Sequence, residues 1–147
     1  MALFPVRRDA ETSAFFDGTA RGEFLLVRDT MTGELLDPRT DTSFDRDRFE
    51  HVPASGEATV VTWSVPHTRL PGGGTQRSVV GIVELAEGPW WWTELRGFDP
   101  DDDLTGARVE VRFDDSGDGE AVPYFTSGAA HGANRGQITM PRPDDVA

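Results

Sequence analysis

The stretch "VVGIVELAEGPWWWTELRGFDPDDDLTGARVEVRFD", from Val79 to Asp114, decides the fold. Residues 77–86 carry apolar side chains at odd and at even positions, which is typical of a strand that is covered on both faces. A turn at Glu87–Pro89 then leads into a second predicted strand at residues 90–97. Residues 108–114 alternate between apolar and charged side chains, as a strand with one buried face does. The stretch therefore predicts consecutive short strands of an all-β domain.

Two further predicted strands flank this stretch. Residues 57–66, "EATVVTWSVP", alternate, with one parity formed by Thr59, Val61, Trp63 and Val65. Residues 121–127, "AVPYFTS", contain Pro123 and are predicted to be an edge strand, because proline lacks an amide hydrogen for a central ladder. The glycine-rich segment 67–76, "HTRLPGGGTQ", is predicted to be a loop. Five short strands at this spacing predict a small barrel or sandwich.

The N-terminal part of the chain carries shorter patterns. Residues 9–20, "DAETSAFFDGTA", predict a short helix that ends at Gly18. Residues 22–29 predict a strand, and the turn at Thr32–Gly33 predicts a partner strand in a small hairpin. Residues 37–56 are polar and charged and are predicted to be mostly loop.

The composition excludes several classes of function. The net charge is −12, whereas a nucleic-acid-binding protein normally needs a basic surface. Cysteine and lysine are both absent, which excludes disulfides, thiolate metal sites, Schiff bases and the lysine of a P-loop. No apolar run reaches the length of a membrane span, and the N-terminus lacks the order of a signal peptide. We therefore expect a cytoplasmic protein that contacts neither membrane nor nucleic acid.

The three consecutive tryptophans separate into two groups by strand alternation. Trp91 shares its side with Thr93 and Leu95 and is predicted, like Trp63, to fill the core. Trp90 and Trp92 are predicted on the outer face. Three interpretations of this outer pair are open: the N-terminal segment with Phe15 and Phe16 covers it, a partner or ligand binds it, or it stacks nucleic-acid bases.

The remaining polar clusters favour structural roles over chemistry. His67 and Arg69, beside the glycine-rich segment, either contact a phosphate or a partner carboxylate, or lie in a solvated loop. The acidic run Asp99–Asp103 is predicted to cap a turn between strands rather than to bind a cation. Residues 114–125 imitate the start of a calcium loop but place Phe125 where its last ligand would stand. We find no catalytic set of residues, no metal site and no cofactor motif.

The order of these features resembles a known family. "FFDGTARGEFLL" (15–26), "ASGEATVVTWS" (54–64) and the opening stretch are together similar to the zinc-ribbon and OB-fold family that accompanies thiolase-like and other acyl-CoA-processing enzymes. The resemblance covers residues 13–126 and is most specific in its second half. It implies a five-stranded OB-fold barrel preceded by a short helix and a ribbon hairpin.

This chain departs from the family at the metal ligands. Members commonly carry two Cys-x-x-Cys pairs, which would fall near Asp29 and Thr32 and near Asp41 and Phe44, and none of these residues is cysteine. A structural zinc site needs about four thiolate or imidazole ligands. We therefore expect a degenerate ribbon hairpin without zinc.

The resemblance implies the role of an accessory protein. Such proteins are non-catalytic partners of thiolase-fold enzymes, namely thiolases and aldolases, or of hotdog-fold hydratases that act on acyl-CoA thioesters. We expect a hetero-oligomer whose partner or ligand surface includes Phe15, Phe16, Trp90, Trp92, His67 and Arg69. The alternative function is an OB-fold protein that binds single-stranded nucleic acid. The expected segments are 1–21 (helical), 22–56 (ribbon hairpin and linker), 57–127 (barrel) and 128–147 (flexible tail).

Overall fold

A five-stranded closed barrel forms the body of the protein in the computed structural model, which describes residues 6–115 and 118–127. The predicted flexible tail, residues 128–147, lies outside the described residues. The elements are α1 (Ser13–Ala20), β1 (Leu25–Asp29), β2 (Leu35–Leu36), a 3-10 turn (Arg46–Arg48), β3 (Phe49–Pro53), β4 (Glu57–Ser64), β5 (His67–Arg69), β6 (Thr75–Arg77), β7 (Val79–Leu85), β8 (Trp90–Arg96), β9 (Arg108–Asp114) and β10 (Val122–Ser127). The all-β prediction and the OB-fold barrel are confirmed.

The barrel runs in the order β10-β8-β7-β4-β9 and closes on itself. The prediction that β10 is an edge strand is wrong, because β10 pairs antiparallel with β9 and parallel with β8. Proline is tolerated because the pairs with β8 involve only Phe125 and Thr126, while Pro123 lies beyond that contact and pairs with Phe113 of β9. Closure leaves the barrel without an open edge.

A bulge in β4 changes which side chains face inward. Ala58 and Val60 are buried in the first half of this strand, on the parity opposite to that of Trp63. The register with β7 shifts between Val60 and Thr62, which brings Trp63 onto the core side. Trp63 is half-buried and packs against the core, so its predicted position is correct although the alternation is interrupted.

A second, three-stranded sheet in the order β2-β1-β3 packs beside the barrel. We call it the ribbon sheet, or the ribbon. The hairpin of β1 and β2 is confirmed, with the Gly33 amide donating to the Asp29 carbonyl oxygen at 2.7 Å. The prediction that residues 37–56 are mostly loop missed β3, which pairs with β1 along its full length. Phe24 and Leu26 join the barrel's core cluster, so the ribbon and the barrel share one hydrophobic core.

Helix α1 continues past Gly18 and ends at Ala20, so the predicted end was wrong. Gly18 lies inside the helix, where a Cβ atom would meet the Leu25 side chain at 2.6 Å. The chain instead reverses at Gly22, whose φ of +79° favours glycine. Gly18 therefore permits close packing of helix on strand, and Gly22 ends the helix.

The predicted loop at residues 67–76 also contains strands. β5 and β6 pair antiparallel and extend the β4–β7 hairpin into a projecting arm, here called the β5–β6 arm (residues 66–78). The three tip glycines, Gly72–Gly74, all have positive φ, which lets the chain reverse. None of the helices described is long and apolar enough to cross a membrane.

Candidate functional site

Strand β8 places its three tryptophans as alternation predicts. Thr93 and Leu95 are buried, and Trp91 packs against the core beside them. Trp90 and Trp92 point to the outside and are 53% and 58% exposed. The described residues leave both outer indoles open to solvent.

Trp90 and Trp92 each belong to a row of directly opposite residues that crosses the strands β8, β7 and β4. Cross-strand pairing aligns Trp92 with Ile82 and Thr62, and Trp90 with Glu84 and Thr59. We call these six residues the tryptophan face. Its apolar part is on the order of a few hundred Å², the upper range for a patch without a binding role.

Phe15 and Phe16 do not cover this face. The Phe15 ring lies 5.6 Å from Trp91 and 5.4 Å from Phe24, and Phe24 contacts Trp91 edge-on at 5.0 Å. Phe16 is buried. These aromatic contacts fix α1 to the inner side of β8, so the two phenylalanines anchor the helix. The interpretation in which they cover Trp90 and Trp92 does not agree with these contacts.

A groove of about 860 Å³ opens where α1, the segment before β3 and the barrel meet. Phe15, Trp91 and Trp92 give it an aromatic wall, and Arg39, Arg46 and Arg96 add cationic groups. Its size is that of a site for a small molecule. The sequence did not predict this groove, because its walls come from segments that are distant in the chain.

Two of the groove's arginines are held over aromatic rings. The Arg39 guanidinium lies 5.3 Å from the centre of the Trp91 ring and donates to both Asp37 carboxylate oxygens, at 3.0 and 2.6 Å. Burial opposes ionisation of Asp37, but these hydrogen bonds outweigh it and keep the pKa of that carboxyl below its ordinary value. Arg96 lies 4.1 Å from the centre of the Tyr124 ring. The arginines are thereby fixed in place as parts of the groove wall.

Not every charged group at the groove is paired. Arg46 and His51 line it without a side-chain hydrogen bond or ion pair inside the described residues. His51 lies on β3 directly opposite Val27 of β1, which also lines the groove. The groove thus combines an aromatic surface with basic groups and with the carboxylates of Glu11, Asp41 and Glu94. Hydrogen bonds from Ser43 lower the pKa of the Asp41 carboxyl, and the charge of Arg46 also acts on Asp41 and helps to lower it.

The acidic run between β8 and β9 organises turns, as predicted. Asp99 accepts the Asp101 amide at 2.9 Å, and Asp103 accepts the Thr105 amide at 3.0 Å. The Thr105 hydroxyl also donates to Asp103, and these bonds lower the pKa of Asp103. Asp101 receives a hydrogen bond from Arg77 at 2.9 Å, which ties this loop to the base of the β5–β6 arm.

The positions that correspond to the family's metal ligands do not fit a zinc site. The Asp29 carboxylate is occupied by Arg48, and the Asp41 carboxylate accepts from Ser43. Phe44 is exposed, and its ring packs 5.4 Å from Phe49. Across the described chain, no group of three or more His, Asp or Glu side chains is arranged to hold a metal.

His67 and Arg69 both lie on β5, on the projecting arm and away from the tryptophan strand. The structure therefore separates the predicted surface residues into three places. Trp90 and Trp92 form the open face, Phe15 and Phe16 anchor the helix, and His67 and Arg69 occupy the arm.

Comparison with known proteins supports the barrel assignment. Residues 51–114 match the family described as the ChsH2 C-terminal OB-fold domain. Most of the chain is similar to a chain of the solved structure described as the Ltp2-ChsH2(DUF35) aldolase. That similarity has a TM-score of 0.67 and 23% sequence identity, and it covers 82% of this chain and 96% of the other. At this identity the likeness shows a shared fold. The comparison with curated proteins finds no match.

Proposed function

We propose that this protein is a non-catalytic accessory subunit of an enzyme that acts on acyl-CoA thioesters. The favoured partner is a thiolase-like enzyme, either a thiolase or an aldolase. The second candidate partner is a hotdog-fold hydratase. The tryptophan face is the proposed docking surface. The complex would be a hetero-oligomer.

The comparisons support the class of partner. The matched family covers four of the five barrel strands, β4, β7, β8 and β9, and the similar solved chain belongs to a structure described as an aldolase. Because fold alone does not fix function, the proposal also needs a feature of this chain's own surface. The exposed pair Trp90 and Trp92 is that feature and carries the proposal.

Tryptophan is enriched among the residues that dominate protein interfaces. Two indoles at alternate positions of a rigid barrel strand present a large contact area and lose little conformational entropy on binding. The row of Trp92, Ile82 and Thr62 continues this surface across the sheet. A flat partner surface can therefore cover both indoles at once.

The shifted pKa values of Asp29, Glu120 and Arg77 belong to ion pairs, and these groups are not suited to acid–base catalysis. Hydrogen bonds from Arg48 lower the pKa of Asp29 to about 2, and hydrogen bonds from Arg8 lower that of Glu120. The pKa of Arg77 is raised by its hydrogen bond to Asp101. Such shifts hold both partners of an ion pair in their charged forms. A general acid or base needs instead a pKa near the working pH.

The groove suits contact with an acyl-CoA thioester at the edge of the partner's active site. Its aromatic wall would pack against the acyl or pantetheine chain, and Arg46 would meet a phosphate. Trp92 lines the groove and also belongs to the tryptophan face. A partner docked on that face would therefore reach the mouth of the groove.

The nucleic-acid alternative finds less support on this surface. Base stacking would use the same two indoles, but Glu84 lies directly opposite Trp90. The net charge of −12 opposes approach of a polyanion. Fluorescence anisotropy with a single-stranded oligonucleotide at low salt tests this alternative directly.

The main test is co-purification with the thiolase-fold or hydratase protein encoded nearest to this gene. The two proteins should elute together in size-exclusion chromatography. The Trp90→Ala/Trp92→Ala double variant should elute separately while its circular dichroism remains that of the folded chain. Separate elution of the unmodified proteins would contradict the proposal.

Met31→Ala/Phe44→Ala is the matched control. Met31 and Phe44 are the most exposed large apolar side chains of the described residues. Both lie in the connections between the strands of the ribbon sheet, outside the barrel. This variant removes comparable exposed apolar surface without touching the barrel. It should bind the partner as the unmodified chain does.

A further inference from the structure

The β5–β6 arm concentrates positive charge in an acidic protein. Residues 66–78 contain two arginines and a histidine but no aspartate or glutamate, although the chain's net charge is −12. All six strand residues of the arm are exposed. Leu70 at the tip is 38% exposed. The arm is therefore a basic projection from an acidic body.

The pairing register places all of these basic groups on one face of the arm. His67 lies directly opposite Arg77, and Arg69 lies opposite Thr75, so the four side chains share a side. The opposite side carries Thr68 and Gln76, which are neutral. Arg77 is bound to Asp101, whereas His67 and Arg69 make no side-chain hydrogen bond or ion pair with the described residues.

The same two residues also have unused backbone groups. The Leu70 amide donates to Gly74 at 3.0 Å, and the Ser78 amide donates to Pro66 at 3.2 Å. Hydrogen-bonded and non-hydrogen-bonded pairs alternate in an antiparallel ladder, so His67 and Arg69 occupy the non-hydrogen-bonded pairs. Their N–H and C=O groups point away from β6. Within the described chain, β5 pairs with β6 alone, which leaves this edge open.

We propose that β5 accepts an extended acidic segment of a partner protein as an added antiparallel strand. Main-chain hydrogen bonds would form along the open edge, and carboxylates at every second residue would lie beside His67 and Arg69. The spacing of alternate residues in a strand, about 6.8 Å, is the same in both chains. One register therefore satisfies the backbone, the Arg69 charge and a hydrogen bond to the His67 imidazole. The inference goes beyond the accessory role, because it concerns a different surface and is tested with this chain alone.

An acidic protein segment fits this edge better than other occupants do. A nucleic acid would be repelled by the charge of the barrel behind the arm and could not use the free amides and carbonyl groups of β5 as a ladder. A second copy of this chain would add its own β5, which places like charges opposite each other. Both remain distinguishable outcomes of the test.

The experiment measures fluorescence anisotropy of a fluorescein-labelled peptide in which glutamate alternates with threonine. Binding to the full chain should saturate at low ionic strength and weaken as salt is added. A peptide with glutamine in place of each glutamate should bind at least several-fold more weakly. N-methylation of the glutamates should abolish binding, because in an antiparallel ladder the backbone amides of those residues point toward β5. N-methylation of the threonines should not, because their amides point away from β5.

Variants of the chain locate the binding. Arg69→Gln should weaken binding of the alternating peptide by up to about fivefold, the range for one cross-strand charge pair. His67→Gln should weaken it less. Arg108→Gln makes the same change in charge as Arg69→Gln, at an exposed position of β9, and should leave binding unchanged. Circular dichroism should be the same for all three variants, since all three side chains are exposed.

Three results would overturn the proposal. One is equal binding of the glutamate and glutamine peptides. Another is that a labelled oligothymidine binds more tightly than the glutamate peptide and that Arg69→Gln abolishes this binding, which would assign the arm to nucleic acid. The third is a dimer in sedimentation velocity that Arg69→Gln dissociates, which would assign the edge to a second copy of the chain.

Discussion

Arg48 donates two hydrogen bonds to the carboxylate of Asp29, at 3.0 and 2.8 Å, and the Asp29 side chain is only 7% exposed. The pair joins the end of β1 to the 3-10 turn before β3. The Thr30 amide and hydroxyl strengthen the same junction by donating to the Arg48 carbonyl oxygen. A bidentate ion pair with a buried carboxylate therefore joins β1 to the start of β3 at one end of the ribbon sheet.

Removing Arg48 should destabilise the ribbon strongly. Arg48→Ala leaves Asp29 buried without its counter-charge, and we expect the melting temperature to fall by about 5 °C or more. Differential scanning calorimetry measures the change. Arg28→Ala is the matched control, because Arg28 pairs with Glu50 at 2.9 Å between β1 and β3, close to the first pair but with both side chains about half exposed. A control that loses as much stability as Arg48→Ala would contradict the role of burial.

The same pair predicts a dependence on acid. Hydrogen bonds from Arg48 are the main reason that the pKa of Asp29 is about 2 in the folded state, against an ordinary value of 3.8. A lowered folded-state pKa stabilises the fold fully above the ordinary value, and this contribution is lost as the pH falls from about 4 to about 2. Arg48→Ala should therefore move the acid-unfolding midpoint upward by roughly half a pH unit. Far-UV circular dichroism across this range checks it, and an unchanged midpoint would contradict the assignment.

Neighbouring tryptophans of β8 should contribute very differently to the free energy of unfolding. Trp91→Ala removes contacts with Phe15 and Phe24 and should lower the free energy of unfolding by about 2–4 kcal/mol. Trp92→Ala removes an exposed ring and should change it by less than about 0.5 kcal/mol. Urea unfolding followed by circular dichroism separates the two. Equal losses would show that Trp92 is covered.

Two glycines should respond differently to an added methyl group. In Gly81→Ala the new Cβ atom would lie 2.4 Å from the Thr62 carbonyl oxygen, and that backbone is held in the β4–β7 ladder. We expect a loss of about 2–3 kcal/mol in the free energy of unfolding. In Gly18→Ala the nearest atom belongs to the Leu25 side chain, which can move, and helix propensity favours alanine by about 1 kcal/mol. Its net loss in urea unfolding should therefore be smaller, and the reverse order would contradict the packing at Gly81.

The parts of the fold that follow a local period could be predicted from the sequence. Alternation alone placed Trp91 inside and Trp90 and Trp92 outside, because each strand position has two possible faces. Strand β3 was missed because its pattern is weak: Glu50 and His51 are exposed, and the strand exists through its pairing with β1. Backbone pairing of this kind leaves little trace in side-chain periodicity.

Features that depend on contacts between distant segments were beyond local patterns. Pro123 suggested an edge because proline weakens a central strand, yet closure needs only Phe125 and Thr126 to meet β8. The groove needs α1, the loop around Arg39 and two barrel strands to come together. The resemblance to a family supplied the barrel, but neither of these details.

The seam between β10 and β8 also affects how the protein folds. Hairpins such as β7–β8 and β9–β10 join neighbouring segments and lose little entropy on forming. The seam instead pairs two strands in parallel across the whole of β9, through Leu95–Phe125 and Arg96–Thr126. Pairings between residues far apart in sequence slow folding. The pairing of β4 with β9, through Glu57–Glu110 and Thr59–Arg108, joins residues still farther apart. We therefore expect the folding rate to be set by these two closures of the barrel, with the hairpins forming beforehand.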